Sequence, residues 1–85
     1  MWYVYFIKSK TKNFLYIGTT NNVNRRIYEH NTGLTQSTKS YLPFELLGYI
    51  AVRTKNHAER LEKYFKTGSG KAVLKKRILP DEALA

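Results

Sequence analysis

Phe14-Leu15-Tyr16-Ile17-Gly18-Thr19-Thr20-Asn21-Asn22-Val23-Asn24-Arg25-Arg26-Ile27-Tyr28-Glu29-His30-Asn31-Thr32-Gly33 is the stretch on which the reading of this chain turns. Its opening residues are aromatic or β-branched apart from Leu15 and the glycine, which predicts a buried strand ending at Gly18. Asn21 and Asn22 offer side-chain oxygens to cap a helix, and Asn31 to Gly33 supply a stop, so a helix of about ten residues follows the strand. At about 100° per residue, Val23 and Ile27 take its buried stripe. Arg26 and His30 share one flank of that stripe, while Arg25 and Glu29 point outward. A guanidinium beside an imidazole at the rim of a core marks a candidate site. A solvated arginine next to a half-buried histidine would leave the same pattern.

Upstream, Trp2-Tyr3-Val4-Tyr5-Phe6-Ile7-Lys8 is a second β-type run. Tyr3, Tyr5 and Ile7 face one way, and Trp2, Val4 and Phe6 the other. Both faces are apolar, so this strand belongs at the centre of a sheet or under cover on both sides. Ser9 to Lys12 is polar and turn-like, joining it as a hairpin to the strand at Phe14. Pairing Lys8 with Asn13 would bring Tyr5 opposite Tyr16 and Tyr3 opposite Gly18, setting two phenols side by side.

Downstream, Thr32 to Tyr41 is rich in hydroxyls, contains Gln36 and Lys39, and lacks apolar periodicity. Its hydroxyls and Lys39 suit phosphate contacts, and a plain connection would look the same. Phe44 to Val52 reads as a third strand entered through Pro43, with Gly48 marking a bulge or a close approach. Thr54 to Asn56 offer caps, with Glu59 three residues after Asn56, for a helix running to about Thr67. Ala58, Leu61 and Phe65 form its buried stripe. Glu62 lies on the border, where an ordinary i+4 pair with Lys66 would account for it. Gly68-Ser69-Gly70-Lys71 fails as a phosphate-binding loop, because Phe65 and Ala72 occupy the first-glycine and Ser/Thr positions. Gly68 then ends one helix and Ser69 caps the next. That last helix turns Val73, Leu74 and Ile78 inward and Lys71, Lys75 and Lys76 outward, as a DNA-backbone contact or a solvated face. Pro80 stops it, and the tail 81–85 is expected to fray.

The 85 residues are expected to make one domain, 1–85, able to bury only about 60–65% of its unfolded surface. With 42% hydrophobic residues, seven Tyr and four Phe, it has material for a compact core rather than a disordered chain. No cysteine is present, so neither disulfides nor thiolate metal sites hold the fold, and a reducing, cytoplasmic setting is compatible. No apolar run is long enough to span a bilayer and no signal-peptide pattern opens the chain, so no membrane is expected. Fifteen Lys and Arg against six acids leave a net charge of +9, which favours a polyanionic partner, above all nucleic acid.

The ordered set Tyr5, Tyr16, Gly18, Arg26, His30 and Glu62 resembles that of the GIY-YIG nuclease domain family. Tyr16-Ile17-Gly18 stands as its second signature tripeptide. Tyr3-Val4-Tyr5 looks like the variant of the first found in small single-domain members, with Tyr3 replacing the leading glycine. The likeness runs from Tyr3 to about Leu79 and takes in the N-terminal domain of the excision-repair nuclease and the catalytic domains of homing endonucleases. It implies an α/β (α+β) fold, a three-stranded antiparallel sheet flanked by helices, in agreement with the order β-β-α-β-α-α read above. It also implies metal-dependent hydrolysis of nucleic-acid phosphodiesters, chiefly DNA, with DNA repair as one setting. In those terms Tyr5 activates or orients the water and Tyr16 holds the hydrogen-bond network. Arg26 binds the phosphate, His30 relays a proton and Glu62 holds Mg²⁺ (or Mn²⁺). Thr19 stands where some relatives carry a lysine, and no asparagine follows Asn56. Relatives usually select DNA through fused modules. A bare domain therefore points to a protein partner that supplies targeting, or to a non-catalytic nucleic-acid-binding module that has kept the fold.

Overall fold

In the computed structural model, which describes residues 1–79, the apolar run at the N-terminus becomes β1 (Trp2–Ser9), the central strand of the sheet. On one side it pairs antiparallel with β2 (Leu15–Thr20), and on the other with β3 (Phe44–Val52), giving the order β2-β1-β3. Helices α1 (Val23–Asn31), α2 (Lys55–Phe65) and α3 (Gly68–Val73) complete the succession β-β-α-β-α-α, an α+β fold. The expected stop at Pro80 and the frayed tail 81–85 lie outside the described residues.

The two apolar faces of β1 each have a cover. Val4 and Phe6 pack with Ile17, Val52, Ala58, Phe65, Leu74 and Leu79 beneath α2. Tyr5 and Ile7 pack with Phe44, Tyr16 and Ile27 beneath α1. Burying such side chains contributes roughly 1.5–3 kcal/mol each, so the two faces together carry the fold. β3 serves both layers because its pairing with β1 shifts by one residue between Phe6 and Ile7, where Gly48 faces Phe6 and Leu46 faces Ile7. The extra residue, Leu47, reverses the alternation. Phe44 can therefore point toward α1 while Ile50 and Val52 point toward α2. The bulge expected at Gly48 is that device.

The hairpin register differs from the expected one by two residues. Lys8 pairs with Leu15, Tyr5 with Gly18 and Tyr3 with Thr20. The cause is Ser9, whose hydroxyl accepts from the Thr11 and Lys12 amides at 3.2 and 3.1 Å, while its own amide reaches the Phe14 carbonyl at 3.0 Å. The turn thereby closes at Ser9 and Phe14, and β2 starts at Leu15 and continues past Gly18 to Thr20. An even shift keeps every side chain on its expected face.

Several helix boundaries also depart from expectation. Asn22 caps α1 as expected, accepting from the Arg25 amide, and Gly33 takes the positive φ of 77° beyond its end. The stripe residues Val23 and Ile27 are only half-buried, and His30 is the buried residue of the helix. α2 is capped by Thr54, the first of the expected cap residues, and ends at Phe65 rather than Thr67. α3 is capped by Thr67, not Ser69, and Gly68 is its first residue. Gly70 lies against the Tyr64 carbonyl, where a Cβ would overlap the oxygen, so this glycine lets α3 dock on α2. A single wide π-type turn, Leu74–Ile78, then closes with the Leu79 amide on the Leu74 carbonyl at 2.8 Å. The wider turn brings Leu79 rather than Ile78 onto the inner face with Leu74, so Ile78, expected inside, stays exposed, as does Val73 ahead of the turn. Among the described residues, no helix is long and apolar enough to cross a membrane.

Candidate active site

β1 and β2 present Tyr5 and Tyr16 on the α1 face, and their rings lie 6.2 Å apart between centroids. They are diagonal neighbours rather than directly opposed, because Gly18 occupies the place across from Tyr5. A Cβ at Gly18 would overlap the Tyr5 phenol oxygen, so the glycine ending this signature tripeptide provides the space in which that oxygen sits. The sequence then turns through the Asn22 cap into α1, whose helical spacing carries Arg26 and His30 over the two phenols.

His30 is fully buried, ringed by Tyr16, Phe44 and Tyr5 at centroid distances of 5.1, 5.7 and 5.8 Å. Its Nε2 lies 2.9 Å from the Tyr5 hydroxyl and its Nδ1 lies 2.7 Å from the Thr38 hydroxyl. Asn31, the next residue, clamps the end of α1 to β3, accepting from the Phe44 amide at 2.6 Å and donating to its carbonyl at 3.2 Å. This pair fixes the height of the helix over the sheet and with it the imidazole.

Arg26 donates through Nη1 to Glu29 Oε1 at 2.7 Å and to Thr35 Oγ1 at 3.2 Å. Glu29, expected to face solvent, instead folds back on the site, because Arg26 lies within reach three residues earlier. Arg25 does point outward, held by Asn21 and, more loosely, by Glu29.

The electrostatics follow from burial. Burial pushes the Tyr5 phenol up to about 12; the Arg26 charge opposes this, while Tyr16 and Glu62 add to it. Burial also pushes His30 down to about 4, with the Arg26 charge acting in the same direction and Glu29 against. Burial disfavours the Arg26 charge, but the Glu29 hydrogen bond and the Tyr5 oxygen outweigh it and raise its pKa. Glu29 is correspondingly lowered, chiefly by its hydrogen bond from Arg26.

Glu62 arrives from the other face of the sheet. It sits on α2, and its Oε1 accepts the Thr19 hydroxyl at 2.7 Å while Oε2 takes Lys66 Nζ at 2.8 Å. Thr19 follows Gly18 on the edge strand, so Glu62 meets the Tyr5 group at that edge rather than across a shared face. The expected i+4 pair with Lys66 is formed, and the Glu62 charge adds to the rise of the Tyr5 pKa. Along the same edge runs a groove of about 430 Å³ lined by Leu15, Tyr16, Ile17, Lys66, Lys71, Leu74 and Lys75. Lys71 and Lys75 thus join the groove, whereas Lys39 and Lys76 are exposed residues that do not line it.

Four side chains take parts at the site that were not expected: Thr19 holds Glu62, Thr35 and Thr38, whose hydroxyls were expected only as phosphate contacts, hold Arg26 and His30, and Lys66 lines the groove. Thr35 and Thr38 belong to the hydroxyl-rich segment after α1, and their spacing of three was the only local signal. The link from Thr19 to Glu62 spans 43 positions and leaves no local signal at all.

Comparison with known proteins adds an independent line. The family model for the GIY-YIG catalytic domain matches residues 1–77. UPF0213 protein SAG0778 of Streptococcus agalactiae serotype V (strain ATCC BAA-611 / 2603 V/R) is 41% identical over 61 residues, 71% of this chain and 69% of its own. UPF0213 protein gbs0798 of Streptococcus agalactiae serotype III (strain NEM316) gives the same figures, 41% over 61 residues, with 71% and 69% covered. No solved structure matches.

Proposed function

The chain belongs to the GIY-YIG catalytic-domain family, a family of endonucleases, and from that premise we propose that it hydrolyses phosphodiester bonds of DNA with Mg²⁺ or Mn²⁺. The observation that carries this reading is the meeting of Tyr5, His30 and Arg26 over the space left by Gly18, with Glu62 at the same edge.

Phosphodiester hydrolysis needs a water stripped of its proton, neutralisation of the charge that grows on phosphorus, and help for the leaving oxygen. The hydrogen bonds of Arg26 to Glu29 and Thr35 both use Nη1, and the guanidinium also meets the Tyr5 oxygen; its planar fork of donors suits a phosphate seated beside that oxygen. At about 12 the Tyr5 phenol keeps its proton at neutral pH, so it cannot wait as a phenolate. It serves instead as a relay: as its oxygen takes the proton of an attacking water, its own proton passes to His30 Nε2, 2.9 Å away. A phosphate seated on Arg26 assists this step, because its negative charge offsets the guanidinium that helps hold His30 down. Tyr16 walls the imidazole and keeps the relay dry.

The donor set at Glu62 suits Mg²⁺. Among the described residues there is no cluster of three or more His, Cys, Asp or Glu, and Mg²⁺ commonly takes one carboxylate, keeps several waters and completes its shell with phosphate oxygens. When bound, the metal supplies Lewis-acid stabilisation of the phosphate charge. Glu62 would hold it through Oε2, and Lys66 must release that oxygen first. Lys39, Lys71, Lys75 and Lys76 carry the electrostatic attraction to the backbone. A protein partner that supplies targeting fits the same reading.

A second reading, a nucleic-acid-binding module without turnover, is favoured by one observation: both Glu62 oxygens already have partners. A cleavage panel separates the two. Labelled single-stranded, duplex, flap and branched DNA are incubated with Mg²⁺, Mn²⁺ or EDTA, and binding is measured in parallel. Metal-dependent cutting is expected. Binding to DNA with no cutting in either metal would transfer the conclusion to the second reading.

A further inference from the structure

Thr38 is fully buried, although its segment from Thr32 to Tyr41 is otherwise mostly polar surface. Its hydroxyl lies 2.7 Å from His30 Nδ1 and 3.4 Å from the Thr35 carbonyl. Thr35 in turn accepts from Arg26 Nη1 on its own hydroxyl. One turn of loop thus touches both Arg26 and His30, the two side chains that α1 brings to the site.

The hydrogens of this chain of contacts can be assigned from what each atom is able to donate or accept. A carbonyl only accepts, so the Thr35 contact is made when the Thr38 hydroxyl hydrogen points there. The Thr38 oxygen then presents lone pairs to the imidazole, which puts a hydrogen on Nδ1. His30 is neutral at ordinary pH, so Nε2 is left bare and accepts from the Tyr5 hydroxyl. Every hydrogen has an acceptor in this arrangement. The reverse order, Thr38 donating to Nδ1 and Nε2–H donating to Tyr5, leaves the buried phenol hydrogen with no side-chain acceptor among the described residues. Protein interiors avoid that.

We propose that Thr38 is a positioning residue of this site: its hydroxyl holds the His30 ring in the Nδ1–H form, so that Nε2 meets Tyr5 as a proton acceptor. The kinetic consequence rests on the nuclease reading above, since only Nε2 without a hydrogen can take the proton that Tyr5 gives up. The tautomer itself does not depend on that reading. Thr38 touches no reacting atom and acts entirely through His30.

The test reads the tautomer directly. Full-length protein labelled with ¹⁵N at histidine is examined by NMR at about pH 7.5, with exposed His57 as the internal reference. Wild type should show Nδ1 protonated and Nε2 bare at His30. Thr38→Val keeps the shape and removes the acceptor, so His30 should move to the Nε2–H form or a mixture. Thr38→Ser should restore the wild-type pattern. In single-turnover assays with labelled single-stranded and duplex DNA and Mg²⁺, Thr38→Val should lose about 10–100-fold in rate, by analogy with groups that orient a ligating histidine. Its DNA affinity should be unchanged, and Thr38→Ser should recover the rate. An Nε2–H ring in wild type overturns the proposal, and that spectrum is decisive even if Thr38→Val fails to fold. So does a Thr38→Val protein whose His30 signals or cleavage rate match wild type. The expected tautomers in a wild type that cuts no DNA would support the positioning role and overturn only the nuclease reading.

Discussion

Lowering the pH should destabilise this protein through His30. The ordinary imidazole value is 6.5, and burial lowers it to about 4 in the fold. Between those values the unfolded chain binds a proton that the folded chain refuses. The contribution of His30 is therefore intact above about pH 6.5, is lost as pH falls, and is fully lost below about pH 4. A difference of about 2.5 units corresponds to about 3 kcal/mol, of which about 2 kcal/mol is already gone at pH 5. Against about 4–13 kcal/mol for a chain of this length, that is a large share. The measurement is urea unfolding, followed by circular dichroism, at intervals from pH 7.5 to pH 5. Glu29, whose pKa is lowered, destabilises in the same direction but titrates mostly below that window. His30→Gln supplies the comparison, because its amide can still meet Tyr5 and cannot protonate. Wild type should lose about 2 kcal/mol more than His30→Gln across the window. Equal losses would mean that the buried imidazole titrates normally, and the account of burial as the cause would fail.

Arg26→Ala should slow single-turnover cleavage by about 10²–10³-fold, by analogy with donors that stabilise an oxyanion, while Arg25→Ala on the solvent side should change the rate little. Equal rates for the two variants would sink the assignment of the phosphate contact to one face of α1. Glu62→Gln should abolish metal-supported cleavage yet leave DNA binding, and Lys66→Ala, which frees Oε2, should lower the half-saturating Mn²⁺ concentration a few-fold. Titration of Mn²⁺ by electron paramagnetic resonance checks both, and unchanged Mn²⁺ affinity in Glu62→Gln would remove Glu62 as the ligand.

The strands and the first two helices were legible because alternation and helical spacing are local signals, and β1 to α2 carry them clearly. The hairpin register was not, since it depends on the Ser9 hydroxyl holding the turn so that it closes at Ser9 and Phe14 and sets Lys8 opposite Leu15, two residues beyond the expected partner. The faces survived the error only because the shift was even. Ile78 was misplaced for a different reason: the inner-face reading assumed 3.6 residues per turn through Leu79, and the π-type turn does not keep that period; Val73, one residue ahead of that turn, lies beside buried Leu74 but stays exposed. At the site, Arg26 and His30 were readable as neighbours on one helix. Their coupling to Tyr5 needed the sheet, and their loop supports, Thr35 and Thr38, needed the fold of a segment without any period. Glu62 was placed on the border of α2 correctly, but its meeting with Thr19 is a matter of which strand lies at the edge.

That edge position explains how one site draws on both faces of a sheet. A central strand would separate Tyr5 from Glu62 with backbone and a neighbouring strand, whereas β2 has nothing paired on its outer side among the described residues. Gly18 removes the one side chain that would fill the gap on the α1 face, and Thr19 points to the α2 face and takes hold of Glu62. The resting ion pairs are consistent with a site that waits for an anion and a cation. Arg26 is paired with Glu29 and Glu62 with Lys66, both pairs within one turn of helix and both partly open to solvent. Pairs of that kind stabilise by only about 0.2–0.5 kcal/mol. A charge-assisted hydrogen bond from Arg26 to a phosphate is worth about 1.5–3 kcal/mol, enough to displace Glu29 without help. Lys66, once displaced from Glu62, stays in the groove with Lys71 and Lys75 and can turn to the backbone of the same strand. In the proposed reaction, that exchange of partners would keep positive charge beside the substrate while freeing the carboxylate for a metal ion.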